Sequence, residues 1–460
     1  VKLGIYIHYP YCVQRCPYCD FATYERSQIP PSEHYLNLLS DEARALAPFV
    51  KEKQVATVFF GGGTPSLMPP HAILNLLEGL TTLGFELLDD GEVTIEINPG
   101  TVGRERIKEL LAAGVNRFSV GAQTFNEDHL KRLGRRHSVE DTVFLLNELQ
   151  EQKLNYSFDL MYGLPGQSLG DLRADLDRVL AYRPPHVSLY NLNVADNNPL
   201  NQGRPADEVQ AEMFYIIRKR LSEEDYDAYE LSNFARDGLY SKHNKSYWNG
   251  APYWGLGLGA HGYIAVDNAK TTESKPEQPN EVDGLNLSSS HRQPNRGFDP
   301  PIEVEPTNEW GIRYWKPRRY GEYESWVKGL KDATHRNFTD AFTRDSYENL
   351  LKHEALTDYL YTRLRTKAGF SLESLEEIFG LPVRQQLDKR LERLLVKNWL
   401  RVQNSQVTLS EDALIISNRI FTELCFTADD LLSPLIDKDL SKTIIRETPT
   451  SELVDRGAIK

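Results

Sequence analysis

The sequence predicts an α/β protein: a partial (β/α)6 TIM-like barrel followed by a mainly helical, winged-helix-like C-terminal domain. Three observations predict it. Six short apolar or β-branched runs recur through the first half, amphipathic helical patterns separate them, and beyond Arg318 the chain turns helical with one short polar strand pair. Such strand–helix–strand repetition implies right-handed crossovers and a parallel sheet. Six units are too few for a closed eight-stranded barrel. A doubly wound open sheet has the same spacing and stays open as the alternative.

The expected strands are GIYIHY (4–9), VATVFF (55–60), VTIEI (93–97), RFSVG (117–121), YSFDLM (156–161) and HVSLYN (186–191). They are mostly apolar rather than cleanly alternating, as a sheet covered on both faces requires. In ERIKELLAAGV, Ile107, Leu110 and Leu111 share a helix face, and Gly114 suits the left-handed position just past the end. Leu172, Leu176 and Leu180 repeat that pattern in a helix that stops at Pro184 and Pro185.

Residues 1–265 thus form the barrel. Residues 266–310 are rich in Pro, Ser, Asn and acids, lack apolar periodicity, and read as an inserted low-complexity loop. Residues 311–437 form the helical domain, where LESLEEIFG, LPVRQQLDKRLERLLVKNWL and RVQNSQVTL follow one another as in a winged helix. Residues 438–460 are a polar tail.

The chain has 460 residues, 40% hydrophobic and 26% charged, which is a soluble globular composition with ample length for a core. No apolar run approaches the ~20 residues that span a bilayer, and VKLGIYIHYP lacks a secretory-signal pattern. Four cysteines, three of them crowded together, do not make a disulfide framework, so a cytoplasmic location is expected. A net charge of -13 argues against nonspecific nucleic-acid binding and favours a packing role for the winged-helix region. Cys425, in FTELCFT, reads as buried packing on a helix.

Cys12, Cys16 and Cys19 form C-x-x-x-C-x-x-C just after the first expected strand. Thiolates suit zinc or an iron–sulfur cluster. A structural zinc site wants four protein ligands and a [4Fe-4S] cluster normally takes four thiolates. Three thiolates leave one iron open to a ligand from solution. Other chemistry-bearing residues fall at successive strand ends, where barrel sites collect: GGGTP at 61–65, Glu96 in IEINP, Gln123 in SVGAQTF, Arg135 in LGRRHS and Asp159 in FDLMYGLPGQ. Bare glycine backbone in GGGTP would let a ligand come close and offer it N–H groups.

Together these motifs resemble the radical S-adenosylmethionine (SAM) superfamily, and within it the branch that holds the oxygen-independent coproporphyrinogen III oxidases and the heme chaperones of the HemW type. The resemblance covers about residues 1–265 and, more thinly, 310–425. It implies a [4Fe-4S] cluster on Cys12, Cys16 and Cys19 whose open iron chelates SAM, with one-electron reduction of the sulfonium as the chemistry. Carried over by position, Tyr6, Gly62, Glu96 and Gln123 match SAM contacts, as do Tyr18, Gly63, Thr64, Arg135 and Asp159.

Two departures set the chain apart from the oxidases. Phe21 stands where they carry an additional cysteine, and their N-terminal extension has no counterpart ahead of the first strand, so oxidase activity is not expected. HNKSYW, with His243, Asn244, Tyr247 and Trp248, matches instead a heme-associated motif of the chaperones. His243 would offer an imidazole to iron and Tyr247 and Trp248 flat faces to a porphyrin; His261 is a second ligand candidate, and a heme held with no fixed protein ligand stays open. The G-x-G-x-x-G at Gly257, Gly259 and Gly262 is rejected as a dinucleotide site because no expected strand leads directly into it and no acid lies at the usual distance within a βαβ unit.

The resemblance therefore implies a heme chaperone that takes heme from a donor and delivers it to respiratory recipients. Transient membrane-surface contact and a homodimer are both compatible with it. The alternatives are a radical SAM oxidase and, disfavoured by charge, a nucleic-acid binder.

Overall fold

The computed structural model describes residues 2–264, 310–332 and 337–432. The expected loop at 266–310, apart from Trp310, and the tail at 438–460 lie outside the described residues.

β1 (Leu3–Tyr9) leads into a two-stranded bridge, β2 (Tyr11–Cys12) with β3 (Tyr24–Glu25). Then follow α1 (Ser32–Leu46), β4 (Gln54–Gly62), α2 (Pro70–Thr82), β5 (Glu86–Ile97), α3 (Arg104–Ala112), β6 (Arg117–Gln123), the short α4 (Glu127–Arg132), α5 (Val139–Glu151), β7 (Asn155–Tyr162), α6 (Leu169–Tyr182), β8 (His186–Asn191) and α7 (Asp207–Ser222). Every expected strand forms. β1, β4, β5, β6, β7 and β8 lie side by side in that order, all parallel. Their apolar side chains fill one core, with Ile5, Phe60, Ile95, Phe118 and Phe158 fully buried.

Local sequence fixes the helix ends. Ser138 and Asp141 form a reciprocal capping box at the start of α5, and Ser168 and Asp171 do the same for α6. Gly114 takes the left-handed conformation after α3 as expected, and α6 ends on left-handed Arg183, immediately before the two prolines. β5 begins seven residues earlier than its apolar run, because Glu86 and Leu87 pair with Gln54 and Val55 through a polar, largely exposed extension.

The remaining strands widen the sheet at both edges. β10 (Asn233–Ala235) adds antiparallel to β8, and β9 (Asp227–Ala228) adds antiparallel to β10 at the edge. After α8 (Lys242–Trp248), β11 (Tyr253–Leu256) returns to pair parallel with β1, and β12 (His261–Ile264) turns back on it. β13 (Ile312–Trp315) and β14 (Tyr347–Asn349) complete a 12-stranded mixed sheet, with α9 (Tyr320–Asp332) packed on α1. β13, α9 and β14, placed by sequence beyond the barrel, therefore belong with the first core: Tyr314, Tyr323 and Val327 are fully buried in it.

A second core begins at α10 (Lys352–Leu364). It holds β15 (Phe370–Ser371), α11 (Leu372–Phe379), α12 (Leu381–Val396), β16 (Leu400–Gln403), β17 (Gln406–Leu409) and α13 (Ser417–Leu424). The three strands pair in the order β15-β17-β16, which with the helix order gives the winged-helix arrangement. Cys425 corrects an expectation. The chain leaves α13 there in an extended conformation, Leu424 and Phe426 take the inward positions, and the thiol is exposed.

The G-x-G-x-x-G reading also needs correcting in its reason. A strand, β11, does lead into it, but a β-hairpin and not a helix follows, so no helix N-terminus is present to hold a phosphate. The stretch serves packing instead. A Cβ on Gly257, which is left-handed, would lie 2.5 Å from the Tyr35 hydroxyl. Its N–H donates at 2.9 Å to Glu42, which is fully buried with Lys316 as its ion-pair partner.

Candidate functional site: a cysteine loop and a closed histidine

The three cysteines sit on the loop that leaves the C-terminal end of β1. Cys12 is buried, Cys16 and Cys19 half-buried. Burial pushes the Cys12 thiol up to about 11, with the Cys16 and Cys19 thiols adding to the effect. Among the described residues no three His, Cys, Asp or Glu side chains gather closely enough to hold a single ion. Three thiolates on one loop are the donor set of an iron–sulfur cluster with one open iron, whereas a structural zinc takes four protein ligands.

GGGTP braces this loop. Gly63 N–H donates to Tyr9 O at 2.8 Å and Thr64 N–H to Tyr11 O at 2.9 Å, while Gly62 N–H donates to Glu96 Oε2 at 3.0 Å. These amides are therefore engaged, not free for a ligand's carboxylate as the sequence suggested. The glycines act by close approach. A Cβ on Gly63 would come within 2.7 Å of Tyr11 O and 3.0 Å of Cys12 Sγ.

Around the loop the expected residues converge. Arg135 donates to Gly121 O at 2.7 Å and Asn98 Oδ1 at 2.6 Å, and reaches the Tyr18 hydroxyl at 3.4 Å and Cys16 Sγ at 3.9 Å. Asn98 also donates to Thr64 at 3.1 Å. Its position beside Pro99 in the already noted IEINP is the signal that could have found it. Gln123 is left-handed, with φ of 71°, at a register shift between β6 and β7. A non-glycine residue held there costs about 1–3 kcal/mol, which the surrounding packing must offset. Glu96 and Asp159 point into the barrel. Burial raises both carboxyls, Glu96 to about 7 with Asp159 contributing, and Ser119 donates to Asp159 at 2.8 Å. Phe21 is exposed to solvent.

HNKSYW lies on α8 at the other end of the strands. His243 faces Gly4 and Thr57 in β1 and β4, and its backbone N–H donates to Glu92 Oε1 in the middle of β5 at 3.1 Å. Its ring is buried and closed: Nδ1 bonds the Thr57 hydroxyl at 2.7 Å and Nε2 the Tyr247 hydroxyl at 2.8 Å. Burial, with Arg117 nearby, pulls its pKa down to about 3, so the ring is neutral. The expected imidazole offered to an iron is thus already spent on hydrogen bonds within the fold. Asn244, Tyr247 and Trp248 are half-buried, and His261 is exposed on β12.

A column of rings joins the two ends. Tyr6 stacks on Phe59 (6.1 Å between ring centroids), Phe59 on His243 (5.0 Å), and Tyr247 meets His243 edge-on (5.0 Å). At the top, Tyr6 hydrogen-bonds His8, whose Nε2 bonds Ala22 O in the cysteine loop at 2.9 Å. Nothing local marks Phe59 for this role, because it reads as an ordinary strand residue.

Comparison with known proteins agrees with this geometry. Residues 6–179 match the Radical SAM superfamily. The chain is 40% identical over 275 residues to the mitochondrial radical S-adenosyl methionine domain-containing protein 1 of Danio rerio, covering 57% of this chain but only 60% of that protein. It is 37% identical over 287 residues to the heme chaperone HemW of Haemophilus influenzae, covering 60% of this chain and 74% of that one. In fold it is similar to the coproporphyrinogen III oxidase HemN of Escherichia coli, with a TM-score of 0.68 at 18% identity, over 92% of this chain and 90% of that one. Among the described residues no helix is long and apolar enough to cross a membrane.

Proposed function

We propose that this chain, which belongs to the HemW family within the radical SAM superfamily, is a heme chaperone: it binds heme alongside a SAM-ligated [4Fe-4S] cluster and delivers the heme to respiratory-chain proteins. The observation that carries this reading is the pairing, in one chain, of the open three-cysteine loop with the HNKSYW helix across the barrel. Its place is the cytoplasm, it acts as a monomer or homodimer, and it draws heme from a donor protein. The whole-length activity rests on relatives that this chain matches over 60% and 74% of their length.

Cys12, Cys16 and Cys19 would hold the cluster, and with SAM bound the pair supplies one-electron reduction of a sulfonium. The chain's own residues do the positioning. Gly62, Gly63 and Thr64 press the loop into place, and Arg135 ties it to β6. Tyr6, Tyr18, Gln123 and Asp159 line the approach. Asn244, Tyr247 and Trp248 carry the porphyrin contacts, while His243 fixes Tyr247 and takes no part as a ligand.

Glu96 gives SAM binding a pH dependence. Below about 7 its carboxyl is protonated and cannot accept an ammonium group as an anion; above that it can. Calorimetric titration should therefore show SAM affinity rising with pH through this range, and Glu96→Gln should flatten the profile. An affinity independent of pH in the unaltered protein would remove Glu96 from the SAM site.

Anaerobically reconstituted protein tests the function itself. It should take up heme with a shifted Soret band and leave coproporphyrinogen III unchanged in the presence of SAM and a reductant. Turnover of coproporphyrinogen III without heme uptake would make it an oxidase.

A further inference from the structure

Beneath α8, where the sheet meets the winged-helix region, lies a cavity of about 490 Å³. This is within the range of small-molecule and cofactor pockets. Trp248, Tyr253, Tyr263, Trp310 and Tyr359 present aromatic surface to it, and Arg363 supplies a cation. These residues come from α8, from the β11–β12 hairpin, from the start of the segment leading into β13, and from α10. Neither core alone builds the cavity.

Its charges are unequal. Arg313, on one wall, is already neutralised by Glu348 at 2.7 Å and Asp358 at 3.2 Å. Arg363 has no such partner. Its guanidinium lies flat over the Tyr359 ring, 3.7 Å from the centroid to Cζ, and donates to Asn249 O at 2.9 Å. Among the described residues no carboxylate pairs with it. Left-handed Gly250 stands beside it, with the position of an added Cβ 3.6 Å from Nη1. A planar cation, held by stacking, is thus presented to a cavity of flat apolar faces.

Such a lining selects a ligand that is itself flat, largely apolar, and anionic at its edge. We infer that this groove is the seat of the tetrapyrrole, with the ring plane against Trp248, Tyr253 and Trp310 and a propionate carboxylate on Arg363. The inference rests on the heme-chaperone reading and deepens it. It moves the heme from the closed face of α8, where His243 is buried, to the face that carries Trp248. It also makes the winged-helix region part of the ligand site, through Tyr359 and Arg363.

The geometry brings a second consequence. Tyr247 meets Tyr253 edge-on with centroids 4.7 Å apart. The groove wall is therefore in packing contact with the ring column that ends at the cysteine loop.

Heme and its dimethyl ester, in which both propionates are neutral, separate the contributions in the full-length protein. The unaltered chain should bind heme more tightly than the ester. Arg363→Gln should weaken heme about tenfold to a hundredfold, the range for a lost charge-assisted hydrogen bond, and leave ester binding nearly unchanged. Arg363→Lys should restore part of the loss. Ala251→Trp, which narrows the groove and leaves the arginine's charge in place, should weaken both ligands. If the unaltered protein binds heme but Arg363→Gln and Ala251→Trp bind it equally well, the groove is not the site, while the chaperone reading stands. If the unaltered protein takes up no heme at all, that reading falls and the groove assignment with it.

Discussion

Serine at any one of positions 12, 16 or 19 abolishes the brown chromophore of anaerobically reconstituted protein, while Cys425→Ser retains it. The unaltered chain should carry about four irons and four sulfides, and each of the three variants should fall close to zero. Two thiolates cannot hold a cube that already lacks its fourth protein ligand. Cys425 is an internal control. It is exposed, donates only to Phe421 O at 3.3 Å, and lies in the second core region, remote from the β1 loop. Iron and sulfide analysis beside the visible spectrum checks this. Full iron content in a Cys16→Ser protein would mean that another side chain ligates the cluster.

The second large effect is on stability. Lys316 and Glu42 form a fully buried ion pair, with Lys316 also donating to Gly255 O and Glu42 accepting from Tyr323 at 2.6 Å and from Gly257 N–H at 2.9 Å. Four elements meet there: α1, the β11–β12 turn, the end of β13 and α9. Burial pulls the lysine's pKa below its ordinary value, and Glu42 offsets only part of that effect. Lys316→Met leaves a carboxylate inside the protein with no cation, which costs about 3–5 kcal/mol. Urea unfolding should show a matching fall in stability. The double variant Glu42→Gln/Lys316→Met should recover part of it, since the uncompensated charge is gone. An unchanged unfolding midpoint in Lys316→Met would show that the pair does not hold these elements together.

This network also shows where sequence reading stops. The six central strands were legible because strands buried on both faces must be apolar runs, and the helices between them because caps and leucine spacing are local. The cysteines were legible because thiols are scarce and their spacing is short. Glu42 and Lys316 carry no local signal, since each reads as one more surface charge until the fold brings them together. β13 and β14 are short and separated from β12 by a long polar stretch, so their pairing is invisible without the sheet. His243 was found, but the direction of its ring was not legible. A motif names the residues that matter without saying which way a ring faces, and this one faces Thr57 and not solvent. GGGTP was misread in a similar way: its amides bind the chain itself, a partnership that depends on the path of the β1 loop.

The central claim is a [4Fe-4S] cluster with one iron free for SAM. Electron-paramagnetic resonance of the dithionite-reduced protein, recorded with and without SAM, tests it most directly. The account predicts the signal of a reduced cube whose g values shift when SAM is added. A spectrum indifferent to SAM, or metal analysis returning zinc in place of iron, would contradict it.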